Sequence, residues 1–282
     1  MIGAAYAQLS AVSFGVGDFV GGMAARRAAV LRVMVVSYPI ATLLLGAVAV
    51  GAGGPVHPAA VLWGSLYGVS QAFGAWWFNQ AMAAGPISVV SPLAAILNAA
   101  VPVAAGVALG ERPGGMAVAG VVLAMAAVLL VGREAAEDED VRTHRFTPKV
   151  ARLTAASGIA FGLDFVLLHE APVECRLWPL VFARAIATVL IFAMAGISGN
   201  LQLPPPTPLR LAVTAALLDT LANVTMLLAL QEWLLSLASV LISLYPATTV
   251  VLAIIVLRER VTRWQAGGMM LAAVSVAMIA AG

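Results

Sequence analysis

The sequence predicts an all-α integral membrane protein with ten transmembrane helices arranged as two inverted five-helix repeats. Three observations lead to this fold class: the composition, the spacing of the apolar segments and a similarity between the two halves of the chain. Of the 282 residues, 62% are hydrophobic and only 10% are charged. Soluble globular proteins carry roughly 25% charged residues. This composition cannot cover a surface that faces water, so the solvent must be lipid.

The apolar segments have the length that a bilayer requires, because a helix crosses the hydrocarbon core in about 20 residues. The first segment lacks a basic N-terminal region, so we interpret it as a transmembrane helix and not as a cleaved signal peptide. Short breaks separate the predicted spans, which cover 2–24, 31–51, 59–83, 86–109, 115–132, 150–169, 177–198, 208–230, 233–257 and 263–281.

One long hydrophilic stretch divides the ten predicted spans into five and five. We therefore predict a first five-helix repeat over 1–132, a charged linker over 133–149 and a second five-helix repeat over 150–282. An odd number of spans in each repeat makes the second copy enter the membrane upside down, which is the inverted-repeat architecture of secondary transporters.

A pair of matching motifs supports the repeat. Glu111-Arg112 and Glu259-Arg260 lie 148 positions apart (259 − 111), and at the same offset Gly120 aligns with Gly268. Both Glu-Arg pairs fall between two predicted spans. We expect Glu111 and Glu259 to cap helix ends or to form loop salt bridges with the adjacent arginines.

Several motifs of the chain also resemble those of a known family. The first copy contains Asn79-Gln80-Ala81-Met82, Gly85-Pro86-Ile87-Ser88 and Gly110-Glu111-Arg112, and the second contains Tyr245-Pro246 and Arg258-Glu259-Arg260. In these motifs the sequence resembles the repeat of the drug/metabolite transporter superfamily, EamA-like branch. The resemblance implies a ten-helix carrier with a central cavity that moves amino acids, metabolites or amino-bearing drugs.

Four charged residues lie inside predicted spans: Asp18, Asp164, Arg184 and Asp219. A charge in the hydrocarbon core costs about 2.5–3.5 kcal/mol on insertion scales, so each one requires an explanation. Asp18 and Asp164 follow similar Phe-Gly sequences in the two halves. One hypothesis is that these carboxyl groups bind an amino-bearing substrate or a coupling proton, because removal from water favours a neutral carboxyl group. The alternative is that neighbouring groups neutralise both and that they serve only structure.

Arg184 needs a buried partner, and Asp164 and Asp219 are the candidates. Arg184 could instead receive a substrate carboxylate. Asp219 aligns with Gln71 at the repeat offset (71 + 148), so both halves place a polar side chain at this position. Cavity lining is the common reason that we propose for this pair.

Further polar and aromatic candidates complete the predicted cavity. Trp77, beside Trp76, either anchors a helix end at the membrane surface or stacks on the substrate. Asn98 and Asn223 are expected to line the cavity, which helices 1, 3, 4, 6, 8 and 9 would form. Proline kinks within the predicted helices either flank the binding site or serve packing alone; these are Pro39, Pro92, Pro102, Pro179 and Pro246.

The sequence lacks the motifs of several other functions. It has no phosphate-binding loop, its three histidines are scattered, and no catalytic set is readable, so we expect no cofactor, no metal and no enzyme activity. The expected partners are a small molecule, protons and the lipid bilayer, with no nucleic acid. A monomer and a homodimer remain equally open.

The expected location is the inner membrane of a bacterium. The positive-inside rule places the charged linker in the cytoplasm and both termini outside, whereas ten-helix relatives usually have cytoplasmic termini. The resulting functional hypothesis is a proton-driven exporter of small amino-bearing solutes that works by alternating access. An uncoupled facilitator of the same solutes and a flippase for an amphipathic lipid headgroup are the alternatives.

Overall fold

A computed structural model describes residues 2–25, 27–84, 87–133 and 147–257, together with nine scattered residues between 264 and 278. Within these ranges the chain is helical, and no strand occurs. The helices with described bounds are α1 (Ile2–Ala25), α2 (Val30–Ala52), α3 (Pro58–Ala84), α4 (Ile87–Ala108), α5 (Gly115–Arg133), α6 (Pro148–His169), α7 (Trp178–Ile197), α8 (Pro206–Glu232), α9 (Leu235–Ile242) and α10 (Tyr245–Leu257).

Nine of the ten predicted spans correspond to these helices. The tenth, 263–281, lies mostly outside the described residues, although those described within it are helical. Most of the predicted linker, 134–146, also lies outside them. Among the described helices, α2, α6, α7 and α8 are long and apolar enough to cross a membrane, and shorter apolar stretches cover Ala94–Ala108 and Gly115–Ala127.

The predicted ninth span differs from expectation because it is two helices and not one. α9 ends at Ile242, and α10 begins at Tyr245 after a turn. Pro246 has no backbone N–H to donate to the carbonyl of Ile242, so a continuous helix would lose a hydrogen bond there. Pro39, in contrast, lies inside the continuous helix α2. Pro179 occupies the first turn of α7, where no backbone donor is needed.

The two halves pack mainly on each other. α1 lies along α8, α3 lies along α6 and α7, and α2 contacts α7 and α8. This contact pattern is nearly unchanged when the halves are exchanged, since the pair α1–α8 corresponds to α6–α3 and α2–α8 corresponds to α7–α3. The functional side chains of one half therefore meet those of the other half in the interior.

Small residues allow this close approach. A methyl group added at Gly64 would overlap the carbonyl oxygen of Pro179, and one added at Gly68 would overlap that of Ala183. The Gly64-x-x-x-Gly68 spacing puts both glycines on the α3 face that touches α7. The backbones of these helices are therefore in direct contact.

Glu111 joins the halves in a way that the sequence did not predict. Its carboxylate accepts hydrogen bonds from the backbone N–H of Leu235 at 2.5 Å and of Ser236 at 3.0 Å. Glu111 therefore caps the N-terminus of α9 in the other half, which agrees with the expected capping of a helix end, and no salt bridge to Arg112 occurs among the described residues. Gly106 leaves room for the carboxylate, since a side chain there would overlap it. The equivalent Glu259 lies outside the described residues.

Candidate functional site

A buried ion pair lies at the centre of the described helices. The guanidinium of Arg184 in α7 contacts the carboxylate of Asp219 in α8 at 2.5 Å, and the two side chains are 4% and 32% exposed. Of the two partners that the sequence suggested for Arg184, the structure selects Asp219. Because the Asp219 side chain is partly exposed and Arg184 is buried, the carboxylate is the accessible member of the pair.

An aromatic ring supports the cation of this pair. The guanidinium carbon of Arg184 lies 4.9 Å from the ring centre of Tyr38 in α2, which is cation–π geometry. One turn along α7, the hydroxyl of Thr188 donates to the Arg184 carbonyl and lies 2.9 Å from the hydroxyl of Thr42. Arg184 is thus fixed between α8 and α2.

A chain of hydrogen bonds extends the ion pair from α8 to α3. The amide nitrogen of Asn223 donates to the Asp219 carboxylate at 3.1 Å, and the Tyr67 hydroxyl donates to the Asn223 amide oxygen at 2.6 Å. The amide nitrogen of Gln71 donates in turn to the Tyr67 hydroxyl at 3.0 Å. We call these five residues, Arg184, Asp219, Asn223, Tyr67 and Gln71, the central network. Three helices from both halves contribute to it.

Asp18 in α1 borders the same region but is not part of the central network. It lies within electrostatic range of Asp219 and of Tyr245 in α10. Although protein atoms surround Asp18, its side chain keeps an exposed surface. No cationic side chain among the described residues pairs with it. Asp18 is therefore an exposed carboxylate within electrostatic range of Asp219.

Asp164 in α6 differs sharply from its repeat equivalent. It is 6% exposed, and its Oδ1 atom has no hydrogen-bond partner among the described residues. Ser70 and Arg184 both interact with its carboxyl group. Although their sequence contexts match, the carboxyl group of Asp18 is exposed and that of Asp164 is buried.

The remaining predicted candidates lie away from this centre. Asn98 is buried between α4 and the end of α9, where it donates to the Ser243 hydroxyl at 3.3 Å. Trp77 packs against Phe73 with ring centres 5.6 Å apart. No hydrogen bond described here connects either residue to the central network.

Sequence reasoning missed Tyr38 and Tyr67. The chain has four tyrosines, and these two fall in the middle of apolar helices, where a phenol hydroxyl needs a partner. That position was the available signal, and Tyr67 also precedes Gln71 by one helical turn. In the part of the chain that the structure describes, no group of three or more His, Cys, Asp or Glu side chains could hold a metal ion.

Comparisons with known proteins agree with the helical architecture. A solved crystal structure of another protein matches with a TM-score of 0.74 and 17% sequence identity, covering 97% of this chain and 96% of that one. This identity shows a shared fold alone. A search of curated proteins finds no match. The model of the EamA-like transporter family matches residues 1–133 and 150–281. Since these two matches cover nearly the whole sequence, the chain is a membrane protein of the EamA-like transporter family.

Proposed function

We propose that the protein is a secondary transporter that exports small amino-bearing solutes, such as amino acids, metabolites or drugs, by alternating access and with proton coupling. The observation that carries this proposal is the open Asp18 carboxylate beside the Arg184–Asp219 ion pair. Family membership supplies the activity, a membrane transporter of small solutes. The site supplies the expected charge of the solute.

The charge balance of the site favours a cation. Arg184 compensates Asp219 directly at 2.5 Å, and Asp18 adds a carboxylate without a described cationic partner. An ammonium group bound beside it would provide the missing counter-charge, which is worth far more in a low-dielectric site than in water. A solute with an extra carboxylate would instead have to break the Arg184–Asp219 pair, at a cost of about 3–5 kcal/mol.

The other site residues have supporting roles in this proposal. Gln71 and Asn223 hold the central network in place through their amide groups. Trp77 in α3 and Asn98 in α4 lie outside the central network and would contact the solute along its path and not at the ion pair. We assign the contact with the ammonium group to Asp18.

The complete architecture in this proposal has ten spans in two inverted repeats, 1–132 and 150–282, joined by the linker 133–149 in a bacterial inner membrane. The exchange of contacts between halves supports it. Both termini would lie outside, and a fluorescent protein fused after Gly282 tests this orientation. Cytoplasmic fluorescence would reverse the assignment.

Transport by purified protein in liposomes tests the function. The assay measures uptake of radiolabelled amino acids and of ethidium, a fluorescent organic cation, with and without a pH gradient. We expect Asp18→Asn to reduce uptake at least tenfold, because the variant loses the counter-charge of the ammonium group. Glu174→Gln is the matched control, since it removes an exposed carboxylate from the short 3₁₀ helix between α6 and α7. Equal uptake by Asp18→Asn and this control would refute the role of Asp18.

The pH gradient separates coupled from uncoupled transport. Stimulation of uptake by the gradient is expected for the proton-coupled carrier. Uptake that ignores the gradient would identify an uncoupled facilitator, and movement of a fluorescent lipid between leaflets in place of solute uptake would identify a flippase.

A further inference from the structure

The polar side chains that interact with Asp164 also bond to other groups. The hydroxyl of Ser70 donates to the Ala160 carbonyl at 2.9 Å. The hydroxyl of Tyr67 donates to Asn223 at 2.6 Å. The guanidinium of Arg184 is held by Asp219. Although Ser70 and Arg184 both interact with Asp164, no described donor forms a hydrogen bond with its buried Oδ1 atom.

A charged carboxylate in this position would be costly. A buried ion without a partner costs several kcal/mol, and such a group becomes neutral instead. A neutral carboxyl group carries a hydrogen and can donate it. A hydrogen on Asp164 would therefore remove the uncompensated charge from the interior.

The other charged and titratable groups around α6 do not change this conclusion. Electrostatic contacts of Asp164 reach Tyr67 in α3, Tyr38 in α2 and Arg184 in α7. Asp219 lies in the middle of α8, with its charge already compensated. α4 and α9, which also pack against α6, contain no titratable side chain.

We propose that Asp164 is a proton-binding site, separate from the open carboxylate of Asp18, and that its proton is the one coupled to transport. Loading adds one proton to the Asp164 carboxylate and forms a neutral carboxylic acid, and release restores the carboxylate. This inference rests on the proposed transport function and assigns different tasks to the two repeat-equivalent carboxyl groups: Asp18 meets the ammonium group of the solute, and Asp164 holds the proton.

A sodium ion is a less suitable ligand for this site. A sodium ion needs several oxygen ligands, whereas Asp164 offers one buried carboxylate oxygen without a described partner. One proton neutralises the carboxylate without any further ligand.

Infrared spectroscopy tests the proton directly and requires no transported solute. The carbonyl stretch of a protonated carboxyl group is measured on wild-type protein in lipid at neutral pH and compared with Asp164→Asn. We expect the variant to lose the band of one protonated carboxyl group. The control Glu174→Gln should keep it, because the Glu174 carboxyl group is exposed to water and is not part of this site. An unchanged band in Asp164→Asn, or a band that depends on sodium, would overturn the proposal.

Coupling is tested in liposomes with ethidium as the probe. We expect Asp164→Asn to abolish the stimulation of ethidium uptake by a pH gradient. Stimulation equal to that of the wild type would show that Asp164 does not carry the coupled proton. If no variant and no wild-type protein transports any solute, the transport proposal fails, while the infrared result still decides whether Asp164 binds a proton.

Discussion

Replacement of Glu111 tests the contact that joins α4 of the first half to α9 of the second. Glu111→Ala removes the acceptor of the Leu235 and Ser236 N–H groups, which lie 2.5 and 3.0 Å from its carboxylate oxygens. These donors belong to the first turn of α9, where no intrahelical acceptor exists. Both would be left without a partner in a part-buried environment.

The magnitude follows from these two bonds. Loss of a helix cap costs about 0.5–2 kcal/mol, and a hydrogen bond to a charged group contributes about 1.5–3 kcal/mol. Since water can partly replace the carboxylate, we expect Glu111→Ala to lower the free energy of unfolding by about 2–3 kcal/mol. Glu111→Gln keeps an acceptor oxygen and should cost about half as much.

Thermal unfolding in detergent measures this loss. For a chain of this size, the expected decrease in Tm is about 4–10 °C for Glu111→Ala. Arg112→Ala is the matched control because the neighbouring arginine is exposed and has no described partner, so its Tm should change little. A Tm of Glu111→Ala equal to that of the control would refute the cap.

Three further substitutions, with Gly46→Ala as a control for the first, test the interior contacts by the same thermal assay. Gly68→Ala should lower the free energy of unfolding by about 1–3 kcal/mol, since its methyl group would overlap the Ala183 carbonyl. The methyl group of Gly46→Ala meets no atom, so this control should raise the free energy of unfolding by about 0.5–1 kcal/mol. Equal effects of the two substitutions would contradict the close packing of α3 on α7. Asp219→Ala should cost about 3–5 kcal/mol because it leaves Arg184 buried without its partner, and a milder effect than that of Gly68→Ala would contradict the ion pair. Tyr67→Phe should cost about 1–3 kcal/mol, because its hydroxyl serves two hydrogen bonds, and an unchanged Tm would remove it from the central network.

The sequence predicted the helical spans well because bilayer thickness sets their length. It also indicated the partners of the central ion pair, since a buried arginine must lie beside a carboxylate. It left Asp164 and Asp219 as equal candidates, because only the relative rotation of α6, α7 and α8 decides which carboxylate Arg184 reaches.

Other features could not be read from local sequence. The cap of α9 by Glu111 joins residues that are 124 and 125 positions apart. The helix is interrupted before Tyr245 and Pro246, whereas α2 continues through Pro39, and the two prolines do not reveal this difference. The similar contexts of Asp18 and Asp164 predicted equivalent positions. Their different exposure depends on which helices lie in front of each carboxyl group, and this is a property of the packed halves.

The short helix α9 has an unusual position for part of a membrane protein. All eight of its residues, Leu235–Ile242, are buried by other parts of the chain. The side chains of α9 therefore touch protein on every side, and the acyl chains of the bilayer do not reach them. Substitutions in α9 should therefore be tolerated only when they preserve side-chain volume, as in the interior of a water-soluble enzyme. The outer faces of α2 and α5 should accept hydrophobic residues of any size.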